Sequence, residues 1–116
     1  MIVDDNPQIR DVIRGILKFT GAEFHECSSG EEAVAACNVW KPHWILMDIK
    51  MKELDGLSAT RLIKHSLPEA NVIIVTNYSD SDLREEAMKA GADGFVLKEH
   101  LTELRTLLNT HTHNNT

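Results

Sequence analysis

The stretch that decides the fold is Trp44-Ile45-Leu46-Met47-Asp48. Four apolar residues end abruptly on a carboxylate, with a proline shortly before them and a glycine-containing turn shortly after. A short apolar run of this kind is typical of a strand buried on both faces of a parallel sheet. Ligands of open parallel α/β sheets bind at the carboxyl ends of the strands, so Asp48 is predicted to lie at a binding crevice. Taken alone, Asp48 could equally end the strand or cap the next turn.

Three further apolar runs also end in polar side chains. Residues 1–3 are followed by Asp4 and Asp5, residues 72–75 by Thr76, and residues 95–97 by Lys98. Between these runs, apolar residues recur at helical spacing, and capping residues, prolines and glycines mark the helix ends. The predicted helices cover about residues 6–20, 31–39, 56–66, 82–90 and 101–108, and a weaker strand is predicted at residues 23–27.

Five strands therefore alternate with five helices, a pattern that requires right-handed crossovers and a parallel sheet covered on both faces. The predicted fold class is doubly wound α/β, a flavodoxin-like (βα)5 three-layer sandwich with strand order 2-1-3-4-5. In that order the first, third, fourth and fifth strands end near one another. Asp4, Asp5, Asp48, Thr76 and Lys98 would then converge.

Such a cluster indicates a specific chemistry. Three neighbouring carboxylates repel one another unless a cation relieves them, and hard oxygen ligands open to solvent suit Mg²⁺. Lys98 and Thr76 supply the positive charge and the donor that hold a phosphoryl group, so the pattern predicts phosphoryl transfer to a carboxylate. The alternative is structural: Lys98 pairs with one aspartate, and the other aspartates are solvated loop residues.

Composition narrows the class of protein. The 116-residue chain has a formal net charge of −6, so we expect no direct nucleic-acid binding by this segment. We expect no membrane association, because no apolar run reaches spanning length and no signal peptide is recognisable. Cys27 and Cys37 lack metal-type spacing, which indicates a reduced, cytoplasmic protein. One domain is expected at residues 1–108, followed at 109–116 by a polar tail that is disordered or begins a linker.

Four motifs at or near the predicted strand ends together resemble the receiver domain of two-component response regulators, a CheY-like superfamily. The resemblance covers nearly the whole chain. The motifs are Val3-Asp4-Asp5-Asn6, Met47-Asp48-Ile49-Lys50-Met51 with Asp55-Gly56, Val75-Thr76, and Ala90-Gly91-Ala92-Asp93-Gly94-Phe95-Val96-Leu97-Lys98.

The resemblance implies a role for each site residue. Asp48 would accept a phosphoryl group from a phosphohistidine. Asp5 would bind Mg²⁺ directly, Asp4 would help through water, and the backbone carbonyl of Lys50 would be a further ligand. Lys98 would bind a phosphoryl oxygen. The protein would be a signalling receiver that catalyses its own phosphoryl transfer and slow autodephosphorylation, and we expect no other enzyme activity.

The resemblance also implies partners and a switch. Thr76 and Phe95 match the switch pair, in which the hydroxyl turns to the phosphate and the ring moves inward. The phosphodonor would be a histidine kinase or a histidine phosphotransfer protein. A homodimer or an output domain would use the last two helices and the last strand. The ending Gly94 to Glu99 looks most like receivers of LuxR-type regulators, which suggests transcription regulation.

Some positions depart from the family. Lys52 stands where a proline is usual, and Glu99 stands where many members have a proline joined to the lysine by a cis bond. We expect a trans bond at Lys98-Glu99, because a cis bond without proline costs about 3 kcal/mol. The first strand, of about three residues, is short, and family members carry more apolar residues before the acidic pair. A truncated amino end would explain the short first strand.

Two other functions share parts of this pattern. An aspartate-nucleophile phosphatase of the haloacid-dehalogenase type also uses a strand-end aspartate, Mg²⁺, threonine and lysine. It needs a second aspartate two residues after the nucleophile as general acid and base, and that position is Lys50. The remaining alternative is a receiver-like docking module that is not phosphorylated.

Overall fold

The computed structural model describes the backbone of residues 1–114 and the side chains of residues 1–109. Within that range, five parallel strands form one sheet in the order β2-β1-β3-β4-β5, which confirms the predicted fold class. The strands are Ile2–Val3 (β1), Glu26–Cys27 (β2), Trp44–Met47 (β3), Asn71–Thr76 (β4) and Gly94–Leu97 (β5). The helices are Pro7–Leu17 (α1), Gly30–Trp40 (α2), Gly56–Ser66 (α3), Ser81–Lys89 (α4) and Glu103–Asn114 (α5).

The sheet separates two apolar cores, which makes the three layers. On one face, Ala33 of α2, Ile63 of α3 and Ala87 of α4 pack on the sheet. On the other face, Ile13 of α1 and Leu104 of α5 do so. Successive residues of a strand point to opposite faces, so one run of apolar residues serves both cores.

The starts of three helices follow the expected capping chemistry. Asn6 accepts a hydrogen bond from the backbone N–H of Gln8 at 2.9 Å, and proline follows it as the first residue of α1. Ser29 caps α2 and Asp55 caps α3 in the same way. These side chains satisfy N–H groups that have no partner inside the helix. Neither Asp4 nor Asp48 caps a helix in this way. Both lie where strands end, on the side of the sheet formed by the carboxyl ends of the strands, called here the carboxyl edge.

The structure shortens one predicted strand. β2 covers Glu26–Cys27, whereas the sequence predicted residues 23–27. β2 is an edge strand whose one neighbour in the described sheet is β1, and β1 supplies two pairing residues, Ile2 to Glu26 and Val3 to Cys27. The His25 carbonyl still accepts the Ile2 N–H at 2.9 Å, but β1 begins at Ile2, so the residues before His25 have no strand beside them with which to pair.

Two other details of the sequence interpretation change. The helical spacing of apolar residues in the sequence puts Val12 and Leu62 among the inward-facing positions, but their exposed fractions are 49% and 50%. The last helix was predicted to end at Leu108, and α5 continues to Asn114, since no glycine or proline interrupts residues 109–114. Residues 115 and 116 of the predicted tail lie outside the described range, and the domain boundary at 108 stays a prediction.

None of the described helices combines the length and apolarity needed to cross a membrane.

Candidate functional site

The carboxyl edge of the sheet gathers the residues that the sequence singled out. Asp4 follows β1, Asp48 follows β3, Thr76 ends β4 and Lys98 follows β5. The last rungs of the sheet hold two of them in place. Asp48 donates its backbone N–H to the Val3 carbonyl at 2.9 Å, and Asp4 donates its own to the Cys27 carbonyl at 3.1 Å. Strand pairing therefore fixes the backbone positions from which both carboxylates project.

One ammonium group joins two carboxylates at this edge. Lys98 Nζ lies 2.9 Å from Asp4 Oδ2 and 3.1 Å from Asp48 Oδ1. The side chains are 12%, 2% and 8% exposed for Lys98, Asp4 and Asp48. Burial of charges at this depth is costly unless each has a partner, and here the lysine serves both aspartates.

Asp4 is held by more than the lysine. Its Oδ1 atom accepts a hydrogen bond from the backbone N–H of Asn6 at 2.9 Å, and its backbone carbonyl accepts one from Arg10 Nη1 at 2.6 Å. The sequence interpretation did not identify Arg10. A charged residue among the polar positions of an amphipathic helix reads as a solvent-facing side chain, so the pattern alone gives no signal for this contact.

The site has the donor set for a divalent cation. Carboxylate oxygens of Asp4, Asp5 and Asp48 all lie within 4.8 Å of one another, and Asp5 is exposed. Three carboxylates against the single Lys98 ammonium leave two negative charges in excess. Hard oxygen ligands with access to water are what Mg²⁺ prefers. The residues present therefore fit Mg²⁺.

The buried charges shift each other's pKa values. Burial raises the pKa of Asp48 above its ordinary value, and the charge of Asp4 adds to this, although Lys98 opposes both. Burial alone would lower the pKa of Lys98. Its hydrogen bonds to Asp4 and Asp48, together with their charges, outweigh burial and raise that pKa. Lys98 therefore remains a cation at neutral pH.

The loop after β3 is folded tightly against Asp48. The backbone N–H of Gly56 donates to the Ile49 carbonyl at 2.8 Å, and a Cβ atom on Gly56 would lie 1.9 Å from the Asp48 carbonyl oxygen. Lys50 lies in this loop, and its Nζ atom is 4.4 Å from the centroid of the Tyr78 ring. The expected role of the Lys50 carbonyl as a ligand stays a prediction.

Thr76 and Phe95, the expected switch pair, lie on neighbouring strands. Thr76 is buried, and its Oγ1 atom accepts a hydrogen bond from the backbone N–H of Tyr78 at 3.2 Å. The Phe95 ring is partly buried, and the Arg84 guanidinium lies 5.1 Å from its centroid. The backbone of the described residues contains no cis peptide bond, so Lys98-Glu99 is trans as expected.

The comparison with protein families decides the identity. The family model for the response regulator receiver domain matches residues 1–109. The chain belongs to this family. The resemblance inferred from the strand-end motifs is thereby confirmed, and this receiver domain is a CheY-like protein whose relatives are response regulators.

Curated relatives extend beyond this receiver domain. The response regulator protein VraR of Staphylococcus aureus is 36% identical over 101 residues, an alignment that covers 84% of this chain and 48% of VraR. The chain thus spans about half the length of the curated relatives it matches.

Solved structures share the fold over most or nearly all of its length. The receiver domain of NtrX from Brucella abortus is 28% identical, with a TM-score of 0.85 and coverage of 99% of this chain and 98% of that one. A LuxR-family regulator from Aurantimonas sp. SI85-9A1 is 27% identical, with a TM-score of 0.90 and coverage of 98% and 84%. A chain of the CheX-CheY-BeF3-Mg²⁺ complex from Borrelia burgdorferi is 25% identical, with a TM-score of 0.78 and coverage of 83% and 74%.

Proposed function

We propose that Asp48 of this receiver domain accepts a phosphoryl group from the phosphohistidine of a histidine kinase or a histidine phosphotransfer protein. The observation that carries the proposal is the buried arrangement of Asp4, Asp48 and Lys98 beside the exposed Asp5. A buried carboxylate whose pKa is raised by burial, as that of Asp48 is, is costly to stability, and such groups cluster at functional sites.

The proposed reaction is a direct transfer. A carboxylate oxygen of Asp48 attacks phosphorus, a new P–O bond forms, and the P–N bond to the donor imidazole breaks. The bonding electron pair leaves with the imidazole nitrogen, which takes a proton from solvent. Lys98 already lies 3.1 Å from Asp48 Oδ1, so its ammonium can donate to an oxygen of the arriving phosphoryl group. Positioning and charge stabilisation supply most of the catalysis in such transfers.

The proposed cofactor is Mg²⁺, held by Asp4, Asp5 and Asp48 with the backbone carbonyl of Lys50. When bound, Mg²⁺ supplies positive charge that offsets both the carboxylates and the phosphoryl oxygens. The complex from Borrelia burgdorferi, in which BeF3 and Mg²⁺ accompany CheX and CheY, supports this assignment by analogy.

Intact-mass spectrometry tests the acceptor directly. Wild-type protein treated with acetyl phosphate and Mg²⁺ should gain the mass of one phosphoryl group, and a chelator should prevent the gain. Asp48→Asn should not be labelled, whereas Asp11→Asn, which changes an exposed carboxylate of α1, should behave as wild type. Equal labelling of Asp48→Asn and wild type would refute the assignment. Absence of labelling in the wild type would favour the unphosphorylated docking module.

We also propose that phosphorylation changes the surface formed by α4, β5 and α5, the α4-β5-α5 face. Thr76 ends the strand that leads into α4, and Phe95 lies in β5, where it pairs in register with Ile74. If the Thr76 hydroxyl turns towards a phosphoryl group on Asp48, it breaks its hydrogen bond with the Tyr78 N–H. This movement opens space for the Phe95 ring to move inward. The difference between the two states then comes from contacts that need the phosphate. A second receiver or an output domain is the proposed partner of this face.

Amide chemical shifts with beryllofluoride and Mg²⁺, a stable mimic of the phosphoryl group, test the switch. Shifts along the α4-β5-α5 face should exceed those along α1. Thr76→Ala should reduce them without loss of metal binding, and Thr76→Ser, which keeps the hydroxyl, should preserve them. Shifts confined to residues around Asp48 would mean that no change is propagated and that the domain acts as a phosphate sink.

The proposed setting is the cytoplasm, where the buried free thiols of Cys27 and Cys37 remain reduced. Regulation of transcription is proposed from the LuxR-family structural relatives. Slow autodephosphorylation is proposed because Asn77 directly follows Thr76, the last residue of β4, where we expect its side chain, together with those of Lys50 and Tyr78, to crowd an attacking water. Faster loss of phosphate from Asn77→Ala would support this crowding, and unchanged or slower loss would contradict it.

A further inference from the structure

Arg10 connects helix α1 to the acidic end of β1. Its Nη1 atom donates to the Asp4 backbone carbonyl at 2.6 Å, and its Nε atom donates to Glu26 Oε1 at 2.9 Å. The side chain is 18% exposed. Arg14, one turn later, also pairs with Glu26 at 2.9 Å but is 51% exposed, and no contact with Asp4 is found for it among the described residues.

The Asp4 carbonyl needs such a donor. β1 ends at Val3, and the Asp4 N–H makes the last bond of that ladder, to the Cys27 carbonyl. Asp4 is 2% exposed, so water has little access to its backbone. A buried carbonyl without a donor costs about 1–3 kcal/mol, and a guanidinium is a strong, charge-assisted donor.

This contact also fixes the direction of the chain towards Asp5. The carbonyl of Asp4 and the nitrogen of Asp5 belong to one planar peptide, so holding the oxygen orients the bond that leads into Asp5. The side chain of Asp5 is exposed and makes no hydrogen bond or ion pair with the described residues. The place of the Asp5 carboxylate relative to Asp4 and Asp48 is therefore set through its backbone.

We infer that Arg10 is a positioning residue of the Mg²⁺ site: it fixes the peptide between Asp4 and Asp5 and thereby sets the affinity for the ion. The inference rests on the proposed function. Charge and geometry make opposite predictions here. Removal of a nearby positive charge by itself would strengthen binding of a cation, so weaker binding after loss of Arg10 reports the lost hydrogen bond.

The test is titration of the whole chain with Mg²⁺. Binding is monitored by calorimetry and by the amide chemical shifts of the residues around Asp48. Arg10→Met keeps the apolar stem and removes the donors, and Arg14→Met removes the same charge and the same partner, Glu26, without touching Asp4. Arg10→Met should bind Mg²⁺ about tenfold more weakly than wild type, the effect typical of partners that orient metal ligands. Arg14→Met should bind within about twofold of wild type or slightly tighter, because its exposed charge is screened.

The outcomes separate the two claims. A purely structural role would lower the folded fraction of Arg10→Met and leave the Mg²⁺ midpoint of the folded protein unchanged, which would overturn the inference. Equal midpoints for Arg10→Met and Arg14→Met would overturn it as well, while the proposed function stood. If wild type itself did not bind Mg²⁺, both would fall. Should Arg10→Met not fold, Arg10→Lys and Arg14→Lys replace the pair, with roughly threefold weaker binding expected for Arg10→Lys alone because lysine lacks the fork of donors.

Discussion

The two edges of the sheet differ in what they bury. At the carboxyl edge, Asp4, Asp48 and Lys98 are buried charges that partner one another, and no buried side-chain nitrogen or oxygen among the described residues lacks a hydrogen bond. At the amino edge, a cavity of about 490 Å³ has a mixed lining, in which apolar side chains such as Phe24 and Leu46 lie beside polar ones such as Glu23. Apolar packing is non-directional and tolerant, whereas buried charge requires fixed partners. Substitutions should therefore change ligand binding at the carboxyl edge and stability alone at the amino edge.

The largest effect is expected at Gly56. The Cβ atom of Gly56→Ala would lie 1.9 Å from the Asp48 carbonyl oxygen, so the loop or the strand end must move. We expect a loss of about 1–3 kcal/mol in the free energy of unfolding, as for other overpacked sites, with weaker Mg²⁺ binding. The matched variant Gly15→Ala, which has no neighbour within 4 Å of the new atom, should gain about 0.5–1 kcal/mol. Urea unfolding measures both, and equal effects would contradict the tight fit at Asp48.

Asp48→Asn should stabilise the metal-free protein at pH 7. Burial and the charge of Asp4 raise the pKa of Asp48, so ionisation of this carboxyl disfavours the folded state. The penalty is absent below the ordinary aspartate pKa of about 4 and fully present above the raised pKa. The advantage of the variant should therefore shrink as the pH falls. Added Mg²⁺ should stabilise wild type and leave the variant nearly unchanged. Urea unfolding at several pH values checks this, and a variant no more stable than wild type at pH 7 would contradict it.

A smaller effect is expected at the amino edge. Phe24→Leu changes an apolar side chain that lines the cavity. We expect it to lower the free energy of unfolding by no more than about 1.5 kcal/mol, as is usual when one apolar side chain replaces another of similar size. Its Mg²⁺ affinity and its labelling by acetyl phosphate should equal those of wild type. A changed Mg²⁺ midpoint would show that the two edges are coupled and would break the contrast between them.

The smallest effect is expected at Arg84. Its guanidinium lies 5.1 Å from the centroid of the Phe95 ring and favours the present position of that ring. An exposed cation-π contact is worth about 0.5–1 kcal/mol, so Arg84→Met should tighten beryllofluoride binding about two- to fivefold. Lys89→Met, on the same helix and paired with Glu86, serves as the control. Weaker binding by Arg84→Met would contradict the assigned role of the contact.

Much of the site was predictable because each of its residues ends an apolar run. Asp48, Thr76 and Lys98 could be placed at one edge as soon as the alternation of strands and helices indicated a parallel sheet. The contacts of Arg10 and Arg84 could not, because both side chains lie on amphipathic helices, where sequence periodicity separates core from surface but does not identify tertiary partners. The shortness of β2 was missed for a related reason. Its length depends on the two residues of β1 beside it, and strand propensity does not contain that information.

The most direct test of the central claim is to locate the phosphoryl group. Wild-type protein is phosphorylated with acetyl phosphate and Mg²⁺ and then treated with borohydride, which reduces an aspartyl phosphate to homoserine. The account predicts homoserine at position 48, none at Asp4, Asp5 or Asp55, and none in a sample treated with chelator. Homoserine at another aspartate, or a stable phosphoryl group on a histidine with Asp48 unmodified, would contradict it.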